Sequence, residues 1–336
     1  MNSSLHTILT PLLMFWLSGS ALPEGNQQDS SAYFAAVYFN RGSTAVGTLG
    51  DIGLFRKREG DTLWINLRPN TITPGVAFAK YGGASLLYLA GGNGLHRSAD
   101  RGKSWKVLTG WQTNEILSVA LHPTSSSILY ISTPFGVFKS TDGGEHWGNK
   151  MRGFKSWYIR QVKIDLDVPE SIYAIDEETL YRSVNGGEKW SALNVGVQGV
   201  KCFLQHPVDH DILLVGTEDH GIRISLDRGK RWRAAQGLPS SPVYALRSSQ
   251  DGKQIYAAGY QTGVWKSEDR GRSWTNLWLA TGIDAIYSLF VHPNNPDHII
   301  VGTNGKGMFE SLDRGATWRQ AGLPFAHVKQ IELYPN

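Results

Sequence analysis

The stretch Ser98-Ala99-Asp100-Arg101-Gly102-Lys103-Ser104-Trp105 decides the fold, because its pattern returns five more times. The later copies occupy 140–147, 183–190, 225–232, 267–274 and 311–318. All fit Ser-x-Asp-x-Gly-x-x-Trp, with Asn as the one replacement at the acidic position. The central residues are Asp100, Asp142, Asn185, Asp227, Asp269 and Asp313, and they recur every 42 to 44 residues. A worn seventh copy lies one period upstream, from Gly53-Leu54-Phe55-Arg56 through Glu59 to Trp64. Its interval from Gly53 to Trp64 equals that from Gly94 to Trp105. Fixed periods of this length are the mark of propellers and solenoids.

Working outward from a box, each period reads as four short strands. In one copy 116–122 alternates apolar and polar residues, 123–126 is turn chemistry, 128–133 is apolar and 136–140 alternates again. The box follows, and a last strand starts at Trp147. Such runs, broken by Gly, Pro, Asp and Ser, are strands, and no helical period is sustained. Four strands repeated seven times predict an all-β, seven-bladed propeller of antiparallel blades. The 336 residues, less a leader at 1–21, divide into seven units of about 45, so 22–336 is read as one domain. Small residues close the second strand of most units: Gly47-Thr48, Ala90-Gly91, Ser132-Thr133, Gly216-Thr217, Ala258-Gly259 and Gly302-Thr303. Crowding of the inner strands explains them. Ring closure has two solutions. Segment 328–334 resembles a first strand and would dock beside 44–50, yet 33–40 could fill the same slot; the C-terminal segment is favoured.

The box residues have a structural chemistry. The central acid can accept its own turn's amide hydrogens, the Gly two positions on supplies positive φ, and the first Ser can donate a further bond. The closing Trp buries a large ring whose N–H needs an acceptor. The boxes are therefore structural and not catalytic carboxylates.

Composition removes several classes of function. One Cys makes neither an internal disulfide nor a Cys-based metal cage. Hydrophobic residues at 41% and aromatics at 11% exclude a disordered chain. A net charge of only +4, without a long Lys/Arg run, gives no support for nucleic-acid binding. The apolar run 8–17 ahead of Ser18-Gly19-Ser20-Ala21 reads as a signal peptide cleaved after Ala21, too short to span a membrane. The expected location is outside the cytosol: periplasmic, extracellular or, in a photosynthetic host, the thylakoid lumen.

The boxes resemble the Asp-box, or BNR, repeats of sialidase-like propellers over roughly 33–334. Similar repeats occur in sialidases, xyloglucanase-type glycoside hydrolases, sortilin-type receptors and the photosystem II stability/assembly factor family. A box in every blade, the chain length and the leader look most like that last, non-catalytic group. The sialidase resemblance would imply an Arg-Ile-Pro element, which is absent around Arg41, Arg56, Arg58 and Arg68. The xyloglucanase resemblance would imply two carboxylates across a cleft between two propellers; this chain has repeats for one.

The best acidic cluster is Asp176, Glu177, Glu178, Glu218 and Asp219, in loops after the second strands of neighbouring blades, where crowding could raise a pKa. His206, Asp209, His210 and Asp211 look like ligands, but His292, Asp297 and His298 recur at the same repeat position, which favours hydrogen bonding within turns. No metal or cofactor is expected. Cys202 alternates with Val200 and Leu204 and reads as a buried thiol. Trp111, Phe135, Trp157, Tyr158, Tyr260 and Phe325 fall in the loops of one face, and Trp111 and Trp157 are surplus to the boxes. Aromatics there suit sugar stacking or anchoring of a protein chain. On the opposite face Arg101, Arg228, Arg270 and Arg314 share one box position and would form a broken positive rim for an anionic surface. The expected function is exported, non-catalytic binding, as a scaffold or assembly factor for an envelope or membrane protein complex. The alternative is a carbohydrate-active protein, glycan-binding or hydrolytic.

Overall fold

The computed structural model describes residues 31–39, 52–68, 71–72, 75–81, 84–278 and 282–334. They form seven four-stranded antiparallel sheets, and the one helical element among them is the 3-10 turn Trp111–Thr113. Six blades take their strands in chain order. In the fifth, for example, Val200–Gln205 is innermost, followed by Leu213–Thr217, Ile222–Ser225 and Arg233–Ala234.

The first blade closes the ring by joining both ends of the chain. The C-terminal Ala326–Tyr334 takes the innermost position, as favoured, but its partner is Ala32–Phe39, which serves as the second strand. Gly53–Arg58 and Ile65–Asn66 complete the sheet. The two terminal candidates are thus neighbours and not rivals for one slot. Segment 44–50, Gly47-Thr48 with it, and the leader at 1–21 lie outside the described residues.

The core lies between blades. Seven apolar clusters fill seven seams, each built from the facing sides of two neighbouring sheets. The cluster holding Phe290, Ile300 and Met308 with Tyr33, Val37 and Val328 seals the last blade to the first. The closing Trp of each box sits in such a seam. Trp274 and Trp190 are almost fully buried, and Trp64, Trp105, Trp147, Trp232 and Trp318 pack at the edges of the other five clusters. The Trp therefore bolts its blade to the preceding one, and does not simply cover its own sheet.

The hydrogen bonds of the box follow the chemistry read from the sequence. In the 98–105 copy Ser98 Oγ donates to Asp100 Oδ1 at 2.7 Å and accepts the Gly102 amide at 2.7 Å. Asp100 also accepts the Ser104 amide at 2.8 Å, and Trp105 Nε1 donates to the Gly102 carbonyl at 3.0 Å. Asn185 preserves the geometry, accepting from Ser183 Oγ and from the Lys189 amide. The residue between acid and Gly is left-handed as well: Arg101, Arg228, Arg270 and Arg314 all have φ near +60°, where two other copies carry Gly143 and Gly186.

The small residues of the second strands have a specific cause. A Cβ on Gly302 would lie 2.3 Å from Ser288 Oγ and 2.7 Å from Val328 Cβ, and one on Gly259 would lie 1.8 Å from the Pro242 carbonyl oxygen. Inner strands of the same and the next blade press against these positions. Side chains stitch that contact: Ser118 Oγ accepts the Val162 amide, Ser288 Oγ donates to the Val328 carbonyl, and Gln330 brackets the Val76 amide and carbonyl. Cys202 belongs to this set. It is buried, its Sγ faces the Val243 carbonyl at 3.5 Å, and burial pushes the thiol up to about 12, which makes it inert.

Candidate functional site

Antiparallel pairing carries the loops after the second and the outer strands to one end of the ring. Trp111, Phe135, Trp157, Tyr260 and Phe325 stand on those loops and are exposed, Trp111 at 83% and Trp157 at 66%. Between them opens the central channel, a cavity of about 710 Å³ bounded mainly by inner strands. That volume suits a small ligand.

A repeated distortion builds the wall. In four successive blades the register slips by one residue on the innermost strand, and the extra residues are Lys201, Tyr244, Tyr287 and Lys329. A bulge leaves one residue unpaired and re-aims its side chain. All four line the cavity, joined by Leu117 and Arg160 at the corresponding points of two further repeats. Lys163, Arg247 and Phe203 lie deeper along the inner strands.

The channel is strongly cationic. Arg160, Lys163, Lys201, Arg247 and Lys329 line it, against Glu218. Two of these cations have carboxylate partners: Lys201 Nζ sits 3.1 Å from Glu218, and Arg247 Nη2 lies 2.8 Å from Glu332. Lys163 Nζ donates to the Phe203 carbonyl at 2.8 Å and lies 5.9 Å from the centre of the Phe203 ring. Burial, then the charge of Arg247, lowers the Lys163 ammonium to about 8. Lys329 Nζ rests 3.6 Å above the Tyr287 ring, and burial lowers it below the ordinary lysine value. Tyr287 stacks on Tyr244 at 5.8 Å between centroids, and Tyr244 Oη donates to Glu218 at 3.5 Å. Burial, reinforced by the Glu218 charge, raises the Tyr244 hydroxyl. Arg160 has no carboxylate partner among the described residues, and its buried Nε meets no acceptor.

Of the binding residues expected from sequence, Tyr158 and Glu218 reach the channel, and the buried Cys202 borders it as well. Trp111, Phe135, Trp157 and Tyr260 sit on the loops of that face. Asp176 is buried, and its Oδ1 accepts the Glu178 and Thr179 amides at 2.8 Å each, which folds its own turn. Glu177, Glu178 and Asp219 are exposed. The cluster therefore does not act as one group: a single member enters the cavity, and there it is ion-paired. His206 is held by the Gly252 carbonyl and by the amides of Val208 and Asp209, so its ring serves the turn.

On the opposite face the box arginines are held by neighbouring side chains. Arg228 binds Asp167 and Asp211, Arg270 binds Asp209, and Arg314 binds Asp297. Arg101 lies over the Tyr334 ring at 5.6 Å. Loop carboxylates offset most of that rim, and the accumulated charge lies in the channel instead.

The bulged residues went unnoticed in the sequence, although a signal was present. Lys201, Tyr244, Tyr287 and Lys329, with Leu117 and Arg160 at the equivalent points of two further repeats, recur at 41 to 43 residues and are polar or aromatic in five of six cases.

Fold and channel together define a seven-bladed β-propeller with a cationic, ligand-sized central cavity. No protein-family model matches the chain. A xyloglucanase of Hypocrea jecorina (strain QM6a) is 28% identical over 228 residues, covering 67% of this chain and 18% of the relative. The chain spans less than a third of the curated relatives it matches. Among solved structures, the GH74 xyloglucanase of Xanthomonas campestris superposes with a TM-score of 0.66 at 18% identity, over 89% of this chain and 54% of that one. YCF48 bound to a D1 peptide superposes with a TM-score of 0.56 at 18% identity, over 75% of this chain and 88% of that one. At these identities the structural likeness establishes the propeller fold. No helix among the described residues is long and apolar enough to cross a membrane.

Proposed function

We propose that this chain is an exported, non-catalytic binding propeller that takes its ligand at the aromatic mouth and throat of the central channel. One observation carries the reading: four successive blades bulge at the same step and turn Lys201, Tyr244, Tyr287 and Lys329 into a cavity beneath exposed tryptophans. Such repetition of a distortion serves a surface, since each bulge gives up a ladder bond. The box residues offer no chemistry, being consumed by their turns. Scaffolding or assembly of an envelope or membrane protein complex is the role this arrangement suits, with Trp111 and Trp157 as anchors for a partner protein.

The second reading, a carbohydrate-active protein, is favoured by the sequence similarity to xyloglucanases. Hydrolysis needs two carboxyl groups about 5–10 Å apart across the scissile bond. Among the described residues Glu218 is the one carboxylate that lines this cavity, and Lys201 already pairs with it.

The test pairs two assays. Xyloglucan and a wider glycan panel should yield no reducing ends, and Trp111→Ala with Trp157→Ala should abolish ligand capture without changing the melting temperature. Release of reducing ends that is lost on Glu218→Gln would replace the binding reading with the hydrolytic one.

A further inference from the structure

The geometry points to the throat of the channel, below the tryptophan mouth, as a specific site for a small polycarboxylate, an inference that rests on the binding reading above and adds a second ligand to it. Three cations drive it. Arg160, Lys163 and Lys329 border the cavity, and none has a carboxylate partner among the described residues. Charges drawn out of water are ordinarily paired, because desolvation of an unpaired ion is costly. Arg160 and Lys163 are partly buried and Lys329 stands exposed in the throat; none of the three has a carboxylate within 4.0 Å among the described residues, whereas Lys201 and Arg247 do.

The arrangement also specifies the number of anionic groups. Arg160 and Lys163 come from the fourth blade, Lys201 from the fifth and Lys329 from the first, so the cations are spread around the ring and not gathered at one point. A single oxyanion can satisfy one or two neighbours. Two or three carboxylates on one small frame can reach several blades at once. The cavity, at about 710 Å³ and lined by the inner strands, admits such a frame, a size that suits a small molecule. Arg160 contributes the only guanidinium among the three, and its planar fork matches a carboxylate with two parallel bonds. Lys163 contributes a point charge deeper in the throat, already touching the Phe203 carbonyl with one of its three donors.

Titration calorimetry and thermal shift of the full chain with citrate test this, with inorganic phosphate, sodium sulfate and sodium chloride at matched ionic strength. Citrate should give a saturable, one-site isotherm, and phosphate should bind at least tenfold more weakly. Arg160→Gln with Lys163→Met should weaken citrate at least tenfold while the variant melts cooperatively. Lys329→Met provides a second variant with the same expected direction. Lys253→Gln, an exposed substitution outside the channel, should leave the citrate affinity within twofold. The proposal is overturned if citrate stabilises without saturation to the same extent as sulfate. It is equally overturned if the cation variants bind citrate unchanged, or if phosphate matches citrate. Loss of citrate binding alone, with tryptophan-dependent capture intact, would refute the ligand class and leave the binding reading standing.

Discussion

Lys163→Met is expected to stabilise the protein at neutral pH. The Lys163 side chain is half-buried by surface, because it borders the channel, yet its ammonium is enclosed among the inner strands. Burial is the first cause of its lowered pKa and Arg247 the second, taking it from 10.5 to about 8. Each unit corresponds to about 1.4 kcal/mol between protonation states, so the charged form costs the folded state roughly 3 kcal/mol. Water in the channel reduces that figure, and Met leaves the Phe203 carbonyl without its donor, a loss of about 1 kcal/mol. The net gain is about 1–2 kcal/mol at pH 7, or a rise of about 3 °C in melting temperature for a domain of this size. The pH dependence follows in sign from the lowered pKa. Between about 8 and 10.5 the unfolded chain holds a proton that the folded chain has released, so wild-type stability rises with pH in this window relative to the variant. The advantage of Lys163→Met should therefore shrink above pH 8 and vanish near pH 10. Paired denaturant titrations from pH 7 to 10 measure the difference, in which the titrations common to both proteins cancel. A variant less stable than wild type at pH 7, or a difference constant across the range, would refute the claim that an enclosed, uncompensated ammonium sits in the throat.

Four further outcomes follow from the packing. Trp147→Ala removes a seam residue and its bonds to the Leu108 and Gly144 carbonyls, and should lower stability by about 3 kcal/mol in urea unfolding. Gly259→Ala forces a methyl onto the Pro242 carbonyl oxygen and should abolish soluble expression or reduce the melting temperature by at least 5 °C. Glu310 is held down to about 2, chiefly by its bond to His298, with Arg319 assisting against burial. Its contribution is complete above the ordinary carboxylate value near 4.5 and disappears as pH falls toward 2, so Glu310→Gln should cost about 2 kcal/mol at pH 6 and little at pH 2, read by chemical denaturation. Lys201→Met should leave Glu218 without its ion-pair partner, and Glu218→Gln in that background should recover part of the lost melting temperature.

Much of this architecture could be read from one line of text. The boxes named themselves through period and composition, and their turn chemistry is local: Ser98, Asp100, Gly102 and Trp105 satisfy one another within eight residues, as do four of the five later copies, Trp190 donating instead to the Lys150 carbonyl. Fold class and blade number follow, because a local clasp repeated six times, with a worn seventh copy one period upstream, needs no knowledge of distant contacts. The exposed aromatics were legible for the same reason, since Trp111 and Trp157 fall outside a repeat that accounts for most of the other tryptophans.

Tertiary structure decided the rest. The partner of the C-terminal strand was settled by ring closure, where Ala326–Tyr334 pairs with Ala32–Phe39 across nearly the whole chain length. Asp176 and Glu218 look alike as loop acids, but one turns inward onto Glu178 and Thr179 amides while the other meets a lysine in the channel. The box arginines look free until loop aspartates of the same and the preceding repeats close on them. The channel itself arises from one-residue slips that place Lys201, Tyr244, Tyr287 and Lys329 on a shared axis. Periodicity reports what each repeat does to itself; charge and ligand chemistry at the centre depend on which side chains seven repeats bring face to face, and only closure of the ring sets those distances.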